Sequence, residues 1–152
     1  GHQAYILESI KALGNLKSYR MHLTWDDGET DGEFVFGMVT NTTSVGGFRG
    51  LAPKDVSFHD GLFEGVFIRT PKTPADLPNI ISGLLLFPEQ ENKDMIRFKS
   101  SKFTVTADED VPWVLDGEFG GAVKEAKIEN VKEAVTLSCS PEPEKKEEKT
   151  EN

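Results

Sequence analysis

Asp-Gly-Glu occurs three times in this 152-residue sequence, at 27–29, 31–33 and 116–118, and a carboxylate mounted beside a glycine can do proton chemistry. Asp-Gly is chiefly a turn signal, and an ordinary hairpin accounts for each copy taken alone. The third copy has a different setting. It follows the apolar Trp113-Val114-Leu115 and leads into Phe119-Gly120-Gly121, so Glu118 is expected at a rigid strand end where bare backbone lets a ligand come close. That mounting suits a general base, which has to stay within hydrogen-bond reach of the proton it removes. Asp116 stands two residues before it.

Ser57-Phe58-His59-Asp60-Gly61-Leu62 is the second candidate. Asp60 with neighbouring carbonyl oxygens makes an all-oxygen environment suited to a hard cation such as Mg²⁺, and a plain turn is the competing reading. His2, His22 and His59 show no zinc spacing. Gly46-Gly47-Phe48-Arg49-Gly50 lacks the Lys-Ser/Thr pair and the helical pattern of a phosphate loop, so its glycines read as a means of tight packing. Only Ser57 and His59 share a face in a way that nucleophilic catalysis requires, which argues against a hydrolase.

These groups need a scaffold, and the chain is long enough for one domain that buries roughly 70% of the surface exposed when unfolded. Ile6, Leu7, Ile10 and Leu13 have helical spacing, with Gly14 as a left-handed cap. Alternation from Tyr19 to Trp25, Asp27-Gly28 as a tight turn and Glu33 to Thr40 read as a hairpin. Leu62 to Thr70 reads as another strand. Thr73-Pro74-Ala75-Asp76 reads as a helix entry, and Leu77, Ile80, Ile81, Leu84 and Leu85 share its apolar face. Met95–Lys99, Lys102–Ala107, Trp113–Leu115, Ala126–Val131 and Val135–Cys139 complete about eight short strands. The expected fold is mainly β: a β-sandwich over residues 1–140 with two short amphipathic helices. Residues 141–152 carry no aliphatic or aromatic side chain and are expected as a disordered acidic tail.

The formal charge of −9 argues against nucleic-acid binding and against broad adhesion to anionic lipid. Lys93, Arg97, Lys99 and Lys102 form the densest basic cluster outside the tail, either a local membrane contact or a solvated strand edge. The single cysteine, Cys139, cannot pair within the chain, so a reduced cytosol is the simplest setting. No apolar run approaches the roughly 20 residues of a membrane span.

Taken in order, Gly1 with Ala4-Tyr5, Asn41, Gly46-Gly47-Phe48, Pro53, Asp60-Gly61 and Asp116-Gly117-Glu118 with Gly120-Gly121 resemble the carboxy-terminal domain of the soluble bacterial diacylglycerol kinases. That family belongs to a wider group with sphingosine kinases and NAD kinases. The resemblance covers nearly all of the chain except the tail. It implies a β-sandwich that closes over a cleft against an upstream nucleotide-binding domain, whose Gly-Gly-Asp-Gly-Thr loop is absent here. It also implies that the fragment is inactive alone. By the same resemblance Glu118 is the general base toward a lipid hydroxyl and Asp116 organises that site. Asp60, with the backbone carbonyls of Ser57 and Leu62, holds a structural Mg²⁺. ATP is the co-substrate, bound mainly by the upstream domain, and diacylglycerol or a related lipid alcohol is the acceptor. The setting implied is cytoplasmic and peripheral at the membrane, with oligomeric state open, a homodimer included. From another class, a stand-alone β-sandwich binding module whose Asp-Gly pairs are only turns remains the rival.

Overall fold

The computed structural model describes residues 16–42, 56–73, 75–76, 78–80 and 92–136. The helix expected at residues 3–13, the glycine-rich segment 46–50, most of the second helix, Cys139 and the tail lie outside them. The described residues build six strands: β1 (Tyr19–Trp25), β2 (Gly28–Thr40), β3 (Phe63–Arg69), β4 (Met95–Ser100), β5 (Lys102–Leu115) and β6 (Glu118–Glu129). They form one antiparallel sheet in the order β4-β3-β2-β1-β5-β6.

The mainly-β expectation holds, and the sandwich takes the form of a single sheet curled upon itself. Trp25 on β1 stacks on Phe98 of β4 with ring centroids 4.7 Å apart and planes 5° from parallel. In a flat sheet, three inter-strand steps of about 4.8 Å would hold those strands roughly 14 Å apart. Phe98 also reaches Phe103 of β5 at 5.5 Å, and Phe67 of β3 reaches Phe103 at 5.6 Å. The two wings of the sheet, β4-β3-β2 and β1-β5-β6, therefore share one core of Met21, Leu23, Phe34, Phe67, Phe103, Val105, Ala107 and Val111.

A second core of Val66, Ile68, Met95 and Ile80 lies on the opposite face of β3. With both faces covered, β3 reads as an unbroken apolar run, Val66-Phe67-Ile68, where a half-exposed strand would alternate. Ile80 comes from the helical segment entered at Thr73. Asp76 Oδ2 accepts from the Thr73 amide at 2.7 Å and the Lys72 amide at 3.0 Å, while the Asp76 amide donates to Thr73 O at 3.1 Å. This is the back-reaching arm of a capping box, and it places the entry at Thr73.

Two strand expectations merge with their neighbours. Lys102–Ala107 and Trp113–Leu115 belong to one 14-residue strand, with a shift in register between Thr106 and Val111 that absorbs the polar Asp108-Glu109-Asp110. Likewise Ala126–Glu129 of the expected Ala126–Val131 strand is the end of the longer β6, while Asn130, Val131, Val135 and Thr136 are not in a strand.

The corner between β4 and β5 is tied to the β1–β2 turn. Ser101 N donates to Asp26 Oδ2 at 2.6 Å and Asp26 N donates to Ser100 Oγ at 2.9 Å. The Ser101 amide, chief among several donors, holds the Asp26 carboxyl below its usual value of 3.8. A depressed carboxyl pKa contributes stability that is present above the unfolded value and lost as pH falls through the folded one. Asp26→Asn is therefore expected to lower stability at neutral pH, with the gap to wild type closing below about pH 3.8. Urea unfolding midpoints at pH 7 and pH 3 check this, and a gap unchanged between them would refute it.

Candidate functional site at the β5–β6 ribbon and the 57–64 corner

The three Asp-Gly-Glu copies meet three different fates. In the first, Trp25 pairs with Gly28, so the hairpin loop is Asp26-Asp27 and Gly28 already belongs to β2. Gly28 has no positive φ; its lack of a side chain matters because a Cβ there would lie 2.8 Å from the Trp25 ring. The second copy is no turn: Asp31, Gly32 and Glu33 pair with His22, Met21 and Arg20 in mid-strand. The third is a two-residue turn, with Asp116 at φ 49°, Gly117 at φ 93° and Leu115 paired to Glu118. Positive φ at both central positions is what a type I′ hairpin requires.

That third turn caps a projecting ribbon. β1 pairs with β5 only between Met21–Trp25 and Phe103–Ala107, so among the described residues the stretch beyond Ala107 has β6 as its sole strand neighbour. Val111 faces Val123 and Trp113 faces Gly121 on one side of the ribbon; Pro112 faces Ala122 on the other. A bulge between Trp113 and Val114, where Gly121 takes φ 102°, then re-aims the tip. Val114, Leu115 and Phe119 are 67%, 62% and 73% exposed there, and Asp116 and Glu118 are exposed beside them. Large apolar side chains on an outlying ribbon mark a surface built for contact.

Next to the ribbon is an apolar cavity of about 910 Å³. Tyr19, Met21, Met38, Phe67, Val105 and Trp113 are among its walls, and Leu115 and Asp116 border it at the ribbon tip. No sequence pattern announced this space, because it arises from the curl of the sheet.

The 57–62 loop lies at the far end of β6. Asp60 Oδ1 accepts from the Leu62 amide at 3.0 Å, Ser57 Oγ accepts from the His59 amide at 3.4 Å, and Gly61 takes φ 78°. Asn130, just past β6, donates Nδ2 to Leu62 O at 3.2 Å. Glu118 begins β6 and Glu129 ends it, so roughly 35 Å of strand at about 3.3 Å per residue separates the two candidate sites. Ser57, Asp60 and Leu62 are thus brought together by their own loop, Asp116 and Glu118 by theirs, and the two sets stay apart.

Beside Asp60 is a residue the sequence reading passed over. Glu64 is the second residue of β3 and is 0% exposed, and neither of its carboxylate oxygens has a hydrogen-bond partner. Lys99 Nζ approaches Oε1 at 3.7 Å. Burial raises the Glu64 pKa, with Lys99 opposing and the Asp60 charge adding. The signal was present in the alternation: Glu64 shares its strand face with Val66 and Ile68, where an apolar residue is expected. Among the described residues no three His, Cys, Asp or Glu side chains converge. The donors at this corner are nonetheless all oxygen, and the unpartnered acceptors suit a hard cation.

Each lysine of the basic cluster has a carboxylate partner. Lys93 pairs with Asp76 at 3.8 Å, Lys99 with Glu64, and Lys102 with Glu129 at 3.9 Å. Burial lowers the Arg97 pKa. Among the described residues no helix is long and apolar enough to cross a membrane.

No protein-family model matches the chain. It is 31% identical over 121 residues to a diacylglycerol kinase of Bacillus subtilis, covering 80% of this chain and 39% of that protein. A diacylglycerol kinase of Staphylococcus haemolyticus is 24% identical over 152 residues, all of this chain and 45% of the relative. The chain thus spans about two fifths of the length of the curated relatives it matches. Among solved structures, a protein of Bacillus anthracis strain Sterne provisionally named a diacylglycerol kinase superposes with a TM-score of 0.67 at 23% identity, over 87% of this chain and 45% of that one. At that identity the likeness speaks for the fold alone. Sequence and fold together make this chain a relative of the diacylglycerol kinase-like lipid kinases, corresponding to their carboxy-terminal domain.

Proposed function

We propose that this chain is the acceptor-site half of an ATP-dependent lipid kinase that phosphorylates the hydroxyl of diacylglycerol or a related lipid alcohol. The observation that carries this reading is the position of Asp116, which borders the apolar cavity of about 910 Å³ and stands two residues from Glu118. An apolar space for acyl chains then ends on carboxylates, at the level where a lipid's hydroxyl would emerge.

In this reading Glu118 is the general base. The hydroxyl proton passes to its carboxylate as the alcohol oxygen bonds to the γ-phosphorus, and the bond from that phosphorus to the bridging oxygen breaks to release ADP. Asp116, on the same turn, keeps the base oriented. Phosphoryl transfer asks mainly for positioning and charge stabilisation, which explains why one exposed carboxylate on a rigid hairpin is sufficient equipment for this half. ATP is held by an upstream nucleotide-binding domain, and docking of that domain over Val114, Leu115 and Phe119 buries the tip and excludes water from the transfer. The chain alone is accordingly inactive.

Asp60, with the carbonyl oxygens of Ser57 and Leu62, holds a structural Mg²⁺ in the same reading. The ion supplies fixed positive charge at the loop, remote from the base. The protein works from the cytoplasm at the membrane surface.

ATP-dependent phosphorylation of dispersed diacylglycerol by the full-length parent tests the proposal. Labelled phosphate in the lipid is expected with the parent and absent with the isolated chain. A folded parent that phosphorylates neither diacylglycerol nor other lipid alcohols would overturn it.

A further inference from the structure

Glu64 has no role in the proton transfer, yet among the described residues it is the one fully buried ionisable side chain. A buried carboxylate normally collects several donors. Here both oxygens lack a hydrogen bond, and Lys99 Nζ stands 3.7 Å from one of them, beyond ordinary hydrogen-bond length. A second acceptor is stranded at the same end of the sheet. Glu64 pairs with Thr40 on β2 and Lys99 on β4. One residue past Thr40, Asn41 Oδ1 is buried without a partner.

The neighbour of opposite consequence is Asp60. It lies four residues before Glu64 on the loop that leads into β3, its Oδ1 is oriented by the Leu62 amide, and its charge opposes that of Glu64. Lys99 is the ammonium paired with Glu64, while the Lys132 side chain packs over Gly61 beside Asp60, so neither cation supplies the hydrogen bonds that the Glu64 oxygens lack. A divalent cation offsets both the repulsion and the missing donors, and a set of carboxylate, amide and carbonyl oxygens selects a hard one.

We infer that Glu64 is a buried carboxylate ligand of a hard divalent cation that it shares with Asp60. The inference rests on the reading that the 57–62 loop binds a cation, and extends it into the sheet: the ion would join the loop to the start of β3. Glu64 then anchors the ion from inside the fold while Asp60 holds it from the solvent side. Lys99 limits the excess negative charge when the ion leaves.

Mn²⁺ titration of the metal-free chain, followed by electron paramagnetic resonance of the free ion and by calorimetry, tests this. One Mn²⁺ is expected to bind, with Mg²⁺ competing, and both Glu64→Gln and Asp60→Asn are expected to weaken it at least tenfold. In EDTA, Glu64→Gln should melt at or above wild type because a buried charge has been removed. Added Mn²⁺ should raise the wild-type melting point and leave that of the variant unchanged. If glutamine at 64 does not fold, Glu64→Asp decides: it keeps the charge, shortens the reach, and is expected to lower affinity at unchanged EDTA stability. Full affinity in the folded Glu64 variants with loss in Asp60→Asn would overturn the role of Glu64 while leaving the loop site standing. Absence of Mn²⁺ binding to wild type would overturn both, and loss confined to Glu64→Gln would overturn the shared site. None of these outcomes depends on lipid phosphorylation, so the kinase reading fails or stands separately.

Discussion

Glu118→Gln in the full-length protein is expected to lower lipid phosphorylation by about 10²–10⁴-fold, the usual contribution of a positioned general base. Glutamine matches glutamate in size and keeps the hairpin, but it cannot take a proton from the attacking hydroxyl. Glu118 is exposed at the first position of β6, so the change removes no packing, and the melting point should stay within experimental error. The loss should fall on kcat and leave KM nearly constant, because the interaction removed is made only in the transition state. Asp116→Asn is the companion variant. Residue 116 sits at φ 49°, a conformation asparagine tolerates well, so that substitution removes the charge without breaking the turn. Undiminished turnover in Glu118→Gln would take the residue out of its catalytic role and leave the family relationship untouched.

The sites differ in how far the sequence revealed them, and the reasons are physical. The tip of the β5–β6 hairpin was legible because Asp116-Gly117 lies between apolar runs, and the structure gives it the positive φ pair that this dipeptide favours. The same dipeptide misled at Asp31-Gly32, where pairing with His22 and Met21 carries the strand straight through. Local propensity yields there to cross-strand contacts. Strand boundaries in the second half were hidden for a related reason. Asp108-Glu109-Asp110 looks like a loop, yet a register shift lets β5 continue past it. Tertiary features were illegible altogether. The curl that brings Trp25 onto Phe98 depends on the twist of the whole sheet, and the cavity follows from the curl. Glu64 was a middle case, since its place on the face of Val66 and Ile68 follows from alternation, but its lack of partners does not.

Phe34→Ala should test whether the curled sheet is one cooperative unit, at an expected cost of about 3–5 kcal/mol. Phe34 is fully buried on β2, meets the Phe67 ring edge-on at 5.9 Å and 80°, and carries the Arg69 guanidinium 5.3 Å from its centroid. Truncation would remove a fully buried ring from the shared core and would leave a void that the surrounding strands cannot fill. A domain of this size has a net stability of about 5–15 kcal/mol, so the variant should lie near its unfolding threshold at 37 °C. Phe67→Ala is the informative contrast. Phe67 also lines the cavity of about 910 Å³, so its loss enlarges an existing space where Phe34→Ala opens a new one, and the cost should be smaller. Urea unfolding of both variants, read by circular dichroism and tryptophan fluorescence, checks the order. If Phe34→Ala costs less than Phe67→Ala, the cavity wall and not the β2–β3 junction holds the wings together. If the two probes give separate transitions, the ribbon and the sheet unfold independently, and the hairpin bearing Glu118 must then take its rigidity from the domain that docks on it.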